Sequence, residues 1–246
     1  MGRKYRNPPI IEAVCEFRLT PATKWDLAVP GLVYEKVQAD FPKRERRSIR
    51  ETQLVEGPEG LLQEVRVTEA AVFRSEKGNV FAQVGPRLLA VNCIRPYVSW
   101  EDFKPSIERA FRALSETVAI ERFARIGLLY VNRIEIPGGW ADLDKYFEFR
   151  PFLGPRLPQH MSSLMLGCIL PFSEEGEICR VELTTVAPDK PDTVVLLLTL
   201  DYSFVQPKAV APDKALAWIE TAHSHVEDVF EGCITDCLRE IFHEVK

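Results

Sequence analysis

The sequence predicts an α+β protein in which two similar units form one curved antiparallel sheet covered by helices. Three observations predict this fold. Segments with apolar residues at every second position alternate with segments of helical period, turn residues separate them, and the order strand, helix, meander, helix begins twice. Because a half-apolar sheet must bury that face, we expect the helices on one side of it. The arrangement resembles a TATA-binding saddle, and a helix-grip fold is the alternative.

The first half of the chain begins with a strand. Residues 10–19 alternate in polarity, and the two prolines before them fix an extended approach because a prolyl nitrogen cannot donate to a ladder. Residues 31–41 follow with helical spacing and stop at Pro42. Ser99 then caps a second helix, whose apolar residues recur at i, i+3 and i+4. Between the helices, the pattern predicts a meander of four strands at 51–56, 61–73, 80–84 and 88–94.

The second half repeats that order. A strand at 126–136 leads to a short helix at 143–149, for which Asp142 is the predicted cap. A closing helix starts near Asp213, and its apolar positions keep the helical period for nine turns. Gly232 lies inside this helix, where a glycine predicts close approach of another backbone. Three strands are predicted between the two helices, at 164–172, 178–186 and 193–204.

The repeated order predicts two α+β repeats, 1–123 and 124–246, packed as one compact unit. The first holds 20 basic and 17 acidic residues and the second 11 and 19, so their formal charges are +3 and −8 within an overall −5. An acidic chain argues against a protein whose whole surface binds nucleic acid, but the first half can still carry a basic patch.

Composition indicates a globular protein of the cytoplasm. With 46% hydrophobic residues and 31 Pro and Gly in 246, disorder and fibrous structure are excluded. No apolar run approaches the ~20 residues that span a bilayer. The six cysteines form no CxxC pair and lie in apolar segments, which is typical of buried, reduced thiols.

Landmarks along the chain resemble those of a sporadically distributed bacterial family of uncharacterised proteins. They are Asn7–Ile10 with Glu12 and Ala13; Ser99, Trp100 and Phe103; Arg125–Leu128 with Tyr130–Ile134; and His223 with Phe230 and Ile234–Asp236. Position 129 holds Leu where that family's pattern has Arg. The resemblance implies a cytoplasmic bacterial protein of accessory, patchily inherited genes, of the kind found in mobile or antiphage-defence cassettes.

Polar residues at corresponding places in the two halves form a candidate groove or pocket. Asn132 and Arg133 lie in the central strand, and Asn92 and Arg95 lie in or next to a strand of the first half. His223 of the closing helix flanks its apolar face and is the fifth candidate. The simpler interpretation is an exposed sheet face with ordinary cross-strand pairs, and a packing histidine with one hydrogen bond.

A basic run is the candidate phosphate-binding segment. It consists of Lys43, Arg44, Arg46, Arg47 and Arg50. Such a run can contact phosphates, but it directly follows Pro42 and contains no aromatic residue for base stacking. We therefore favour a solvated loop connecting helix and strand.

No residue pattern predicts catalysis, a metal or a cofactor. His223 and His225 are two residues apart, so a regular helix directs them away from each other. Cys233 and Cys237 have helical spacing but no further ligand near them in sequence. Nucleophile-elbow, phosphate-loop and dinucleotide motifs are absent. An enzyme is thus not expected, although catalytic triads assemble only in the fold.

Three function hypotheses follow from these observations. The preferred one is a non-enzymatic interaction protein of a bacterial accessory gene cassette, which binds a partner protein encoded nearby through its sheet or long helix. Nucleic-acid binding through residues 43–50 is the second. The third is a small-molecule-binding or catalytic pocket between the sheet and the C-terminal helix. No membrane partner is expected, and homo-oligomerisation stays open.

Overall fold

The computed structural model describes residues 3–57, 60–97, 99–138, 143–158, 161–173, 176–204 and 210–245, with side chains described outside 49–68. In these ranges, nine strands form one antiparallel sheet in the order β2-β3-β4-β5-β1-β6-β9-β8-β7. The strands are β1 (Ile10–Leu19), β2 (Lys43–Gly57), β3 (Gly60–Arg74), β4 (Val80–Gly85), β5 (Leu88–Ile94), β6 (Phe123–Pro137), β7 (Met165–Pro171), β8 (Glu177–Val186) and β9 (Thr193–Phe204). The predicted α+β class with an antiparallel sheet is confirmed.

The described helices cover one face of this sheet. They are α1 (Val29–Val37), α2 (Trp100–Thr117), α3 (Leu143–Tyr146), α4 (Ala215–Cys233) and α5 (Asp236–Phe242), with a 3₁₀ turn at Pro212–Lys214. In β1 the residues Ala13, Cys15 and Phe17 are fully buried, whereas Val14 and Glu16 between them are partly exposed. We call the side of the buried residues the covered face and the opposite side the open face.

Helix α2 begins directly after its N-cap residue, Ser99. The Asp102 N–H donates to Ser99 Oγ at 3.1 Å, which satisfies one of the free amides of the first turn and confirms Ser99 as the cap. The apolar stripe of the helix then packs on the covered face. There the ring centroids of Phe17 and Phe111 lie 4.6 Å apart, and Phe123 of β6 lies against both rings. This aromatic cluster connects β1 and α2 of the first half to β6, the strand that begins the second half.

The C-terminal segment is two helices rather than one, so the prediction of a continuous nine-turn helix is wrong. Ile234 and Thr235 are extended between α4 and α5. Ile234 forms an antiparallel bridge with Phe147, and the Thr235 N–H donates to the Tyr146 carbonyl at 3.1 Å. These bonds to the segment after α3 replace the intrahelical bonds, and Thr235 becomes the residue that precedes α5. Each helix still buries apolar residues, among them Ile219 and Val226 in α4 and Leu238 and Phe242 in α5.

Gly232 lies in the last turn of α4 and is exposed, and a Cβ placed there would meet nothing within 4 Å. The prediction that another backbone approaches this glycine is therefore wrong. Asp142, the predicted cap of α3, lies outside the described residues.

The two ends of the chain are paired. Tyr5 bridges Glu244, the Asn7 N–H donates to the Phe242 carbonyl, and the Tyr5 ring packs on Phe242 at 5.7 Å between centroids. The Tyr5 hydroxyl donates to Glu231 Oε1 at 2.6 Å. The segment before β1 therefore holds α5 in place against α4.

Burial makes four of the six free thiols poor nucleophiles, and this gives a testable prediction. Burial raises the pKa of Cys93 to about 11 and the pKa values of Cys179 and Cys233 to about 12, and it raises the pKa of Cys15 as well. Because the thiolate is the reactive form, iodoacetamide at pH 8 should modify the partly exposed Cys237 well before these four. Mass spectrometry of the labelled peptides, with and without a denaturing concentration of urea, measures the order. Equal labelling of all sites in the native protein would contradict the buried placement.

Candidate functional site

Two of the groove candidates lie on the covered face. Asn132 of β6 is buried, and its Nδ2 donates to the Leu198 carbonyl of β9 at 3.1 Å. His223 of α4 stacks on Trp100, with 4.2 Å between ring centroids and an angle of 16° between ring planes. Both side chains are therefore satisfied by neighbours inside the molecule, as the simpler interpretation expected of the histidine.

The other groove candidates lie elsewhere. Arg133 is on the open face, where it pairs with Glu135 and donates to Asp189 Oδ2 at 2.7 Å. Asn92 is opposite Val14 in the ladder, hence also on the open face, although it is buried. Arg95 is exposed just after β5. The structure thus places Asn132 on one face of the sheet and Asn92 and Arg133 on the other, so the five residues do not line one groove.

A chain of polar contacts runs from His223 into the covered face. Its Nδ1 lies 3.2 Å from the Tyr130 hydroxyl, which lies 3.3 Å from the Tyr97 hydroxyl. Its Nε2 lies 3.4 Å from Glu227 Oε1. Burial raises the pKa values of both tyrosines above the ordinary value, so both phenols stay protonated at neutral pH. The arrangement connects α4 to β6, and each ring nitrogen of His223 lies within 3.4 Å of a polar side-chain atom.

His225 has a separate partner. Its Nδ1 lies 2.7 Å from the Tyr202 hydroxyl of β9, and Tyr202 donates to Glu177 at 3.3 Å. Trp218 of α4 donates to the other oxygen of that carboxylate at 2.6 Å. The two histidines therefore contact tyrosines of two neighbouring strands, which is the divergence that their spacing of two residues predicts.

The basic run is part of a strand, so the interpretation as a solvated loop is wrong. Residues 43–50 are the first half of β2, which pairs with β3 residue by residue from Lys43 opposite Arg74 to Gly57 opposite Gly60. β2 is an edge strand of the described sheet. Charged side chains are common on edge strands because they oppose pairing with a strand of another chain. The strand forms through this nonlocal pairing, despite a composition typical of loops.

Alternation along β2 separates the basic side chains. Lys43 donates to the Glu76 carbonyl at 2.6 Å and lies 3.4 Å from that residue's carboxylate. The Arg44 guanidinium lies 4.7 Å from the centre of the Tyr34 ring of α1, on the covered side. Arg46 and Arg47 are exposed on opposite faces, and the side chain of Arg50 lies outside the described set. The run is thus not one continuous phosphate-binding surface.

A charged network at the middle of the open face was not predicted. Arg125 of β6 lies between β1 and β9, with Nη1 2.8 Å from Glu16 Oε1 and Nη2 2.5 Å from Asp201 Oδ1. Arg18 contacts the same Glu16 at 2.9 Å. The network carries two positive and two negative charges, so its local charge is balanced. Arg125 and Asp201 are distant in sequence from Glu16 and Arg18, and the local signals were Glu16 with Arg18 in β1 and Arg125 with Gly127 in β6.

Gly127 has no Cβ, and this leaves the space that the Arg125 side chain occupies. The two residues are on the same face of β6, and a Cβ at position 127 would overlap the Arg125 guanidinium, whose Nη1 is the nearest atom. The guanidinium therefore lies flat across the glycine to reach both carboxylates. This is a close-approach glycine of the kind that strands rarely contain without a reason.

Other features of the described residues concern a cleft, metal ligands and membrane-spanning helices. A cleft of about 360 Å³ opens where β8 and β9 meet their connecting turn, and its lining has no titratable side chain. No group of three or more His, Cys, Asp or Glu residues in the described ranges could hold a metal ion. Within the same ranges, no helix has the length and apolar character needed to cross a membrane. No protein-family model matches the chain, and no curated protein matches it either.

The glycine under Arg125 gives a second testable prediction. Gly127→Ala should displace the guanidinium from Glu16 and Asp201 and lower the free energy of unfolding by at most about 1 kcal/mol, since the pairs are partly exposed and the displaced group is the flexible end of a side chain. Gly232→Ala is the matched control, because the added methyl meets open space and removes a helix-destabilising glycine worth up to ~1 kcal/mol. Thermal unfolding followed by circular dichroism should therefore shift in opposite directions for the two variants. A Gly127→Ala protein as stable as the unmodified chain would show that Arg125 does not depend on the glycine.

Proposed function

We propose that this chain is a non-enzymatic interaction protein that binds a partner protein, encoded nearby, on the open face of its sheet. The observation that carries the proposal is the chemistry of that face along β1, β6 and β9. Partly exposed aliphatic side chains alternate there with charges that are already paired, and none of the described helices packs on it. The aliphatic side chains are Val14, Leu129, Val131 and Leu197.

Such a face suits a protein better than a polyanion. Protein interfaces combine apolar contact area with a polar surround and are depleted of uncompensated charge at their centre. Here Arg125 and Arg18 are matched by Glu16 and Asp201, and Arg133 by Glu135. A nucleic acid would need several unpaired cations along its path.

The strand order supports a duplicated architecture as part of this proposal. Outward from the central β1–β6 pair, the sheet reads β1, β5, β4, β3 and β2 on one side and β6, β9, β8 and β7 on the other, so the first side has one more strand. Each series starts with the first strand of one half, and a helix then closes each half. We propose that the halves descend from one unit and form a saddle-like sheet, with the partner seated across the junction.

The setting of the protein is also a proposal. The six cysteines are free thiols, and four of them are buried. Free thiols are typical of proteins in a reducing compartment, and this supports a cytoplasmic location. The landmark resemblance supports an accessory bacterial gene cassette, including a defence-associated one. The adjacent gene product is therefore the first partner to test.

The two alternatives have less support. For nucleic-acid binding, Lys43 and Arg44 are engaged with Glu76 and Tyr34, and alternation divides the basic run between two faces. For a pocket beneath α4, His223 is stacked on Trp100 and bonded to Tyr130. Neither arrangement leaves several converging polar groups free for a ligand.

Partner binding can be tested with substitutions on the open face. Co-expression with the neighbouring gene product should give a complex that co-elutes in size-exclusion chromatography. Leu129→Lys or Leu197→Lys should weaken it at least ~10-fold, because a charge buried in an apolar contact costs more than ~1.4 kcal/mol.

The matched control is Leu32→Lys, the same chemical change at an exposed position of α1 on the other side of the molecule. It should leave binding unchanged, and all variants should keep the circular dichroism spectrum of the parent chain. Equal binding by all variants, or separate elution of the unmodified proteins, would contradict the proposal.

A further inference from the structure

The strand β7 is an unprotected edge of the sheet. It is the last strand on its side and pairs only with β8 among the described strands. Its seven residues, Met165–Pro171, include no charged side chain. Met165 is 85% exposed and Ile169 is 53% exposed. The opposite edge, β2, begins with a run of charged residues, so the two edges differ sharply in their capacity to pair with another strand.

The bonding pattern of β7 shows which backbone groups face outward. The Phe172 N–H donates to the Glu177 carbonyl, and the Thr185 N–H donates to the Leu164 carbonyl. In an antiparallel ladder such bonded pairs recur at every second residue. The even-numbered residues of β7 therefore bond to β8, and Met165, Gly167 and Ile169 direct their N–H and C=O groups to the free edge.

We propose that two copies of this chain associate by antiparallel pairing of β7 with β7, about a twofold axis at Cys168. Of the registers with a twofold axis, this one pairs all seven residues of both strands. Gly167 then faces Ile169 of the second copy, and Met165 faces Pro171. The N–H and C=O groups of Gly167 and Ile169 find partners, and proline at the end of the strand loses only one donor.

Charges on β8 do not oppose this register, because Arg180 and Glu182 already pair within one copy, with Nη1 3.7 Å from Oε1. Gly167 lies beside Glu182, and Ile169 lies beside Arg180. Across the interface, Glu182 and Gly167 of one copy are therefore followed by Ile169 and Arg180 of the second copy. The twofold axis generates the same row of four residues a second time. The Glu182 Cγ lies 3.6 Å from the position of a Cβ on Gly167, so its side chain already leans toward the edge. Because β7 contains no charged residue, its pairing with a second β7 places no like charges opposite each other.

This proposal is independent of the partner bound on the open face, since it concerns the purified chain alone. Sedimentation of the 28.0 kDa chain should show a concentration-dependent species of twice that mass. Ile169→Lys should weaken dimerisation at least ~10-fold by placing like charges near the axis. Gly167→Pro should do the same by removing an outward N–H that β8 does not use. Leu32→Lys is again the control and should dimerise like the parent chain.

A crosslink tests the register. At a nonbonded antiparallel pair the Cα atoms lie ~4.5 Å apart, within the range that a disulfide spans. Oxidation with copper(II) phenanthroline, which takes up two electrons as two thiols release two protons, should join Cys168 to Cys168 of the second copy. Cys168→Ser should abolish the covalent dimer, and Cys237→Ser should not.

Three results would overturn the proposal. A chain that stays monomeric up to the highest soluble concentration excludes the dimer. A dimer unaffected by both Ile169→Lys and Gly167→Pro places the interface elsewhere. A covalent dimer that forms through Cys237 instead of Cys168 excludes the register.

Discussion

The antiparallel pairing of β1 with β6 is the interaction on which the rest of the structure depends. In the strand order it is the one neighbouring pair, among the described strands, that joins a strand of the first half to a strand of the second. The ladder runs from Ile10 opposite Asn132 to Leu19 opposite Phe123. Because β5 and β9 pair with the outer sides of these two strands, a loss of this register would separate the sheet into two smaller sheets with exposed edges.

Side chains reinforce this junction on both faces. On the open face, Arg125 connects β6 to Glu16 of β1 and to Asp201 of β9, across the space left by Gly127. On the covered face, Tyr130 connects β6 to Tyr97 and to His223 of α4. The residues of the central landmark therefore act together to fix the junction of the two halves.

Sequence patterns predicted the strands and helices that are determined by residues close together in the chain. The strand at Ile10–Leu19 and the helix after Ser99 follow from alternation, two prolines and a capping side chain, and the structure confirms both. Nonlocal causes were not predictable. The strand at Lys43 depends on pairing with β3, the break at Ile234 depends on a bridge to Phe147, and Arg125 finds carboxylates 109 and 76 residues away in the sequence. The grouping of Asn92 with Asn132 failed for a related reason, because the two strands present these residues on opposite faces.

The different chemistry of the two sheet edges limits how copies of the chain can associate. Pairing β7 of one copy with β2 of the next would be head-to-tail and would continue without end, as in a fibre. That pairing places Lys43, Arg44 and their neighbours against a strand that offers no acidic side chain. Pairing β2 with β2 would bring together two strands that each carry five basic and three acidic residues, so many charged side chains would lose water at the interface. Only β7 with β7 avoids both costs, and because its symmetry is twofold, the association ends at two copies. The charged edge thus prevents further growth of the sheet at the two outer ends of such a dimer.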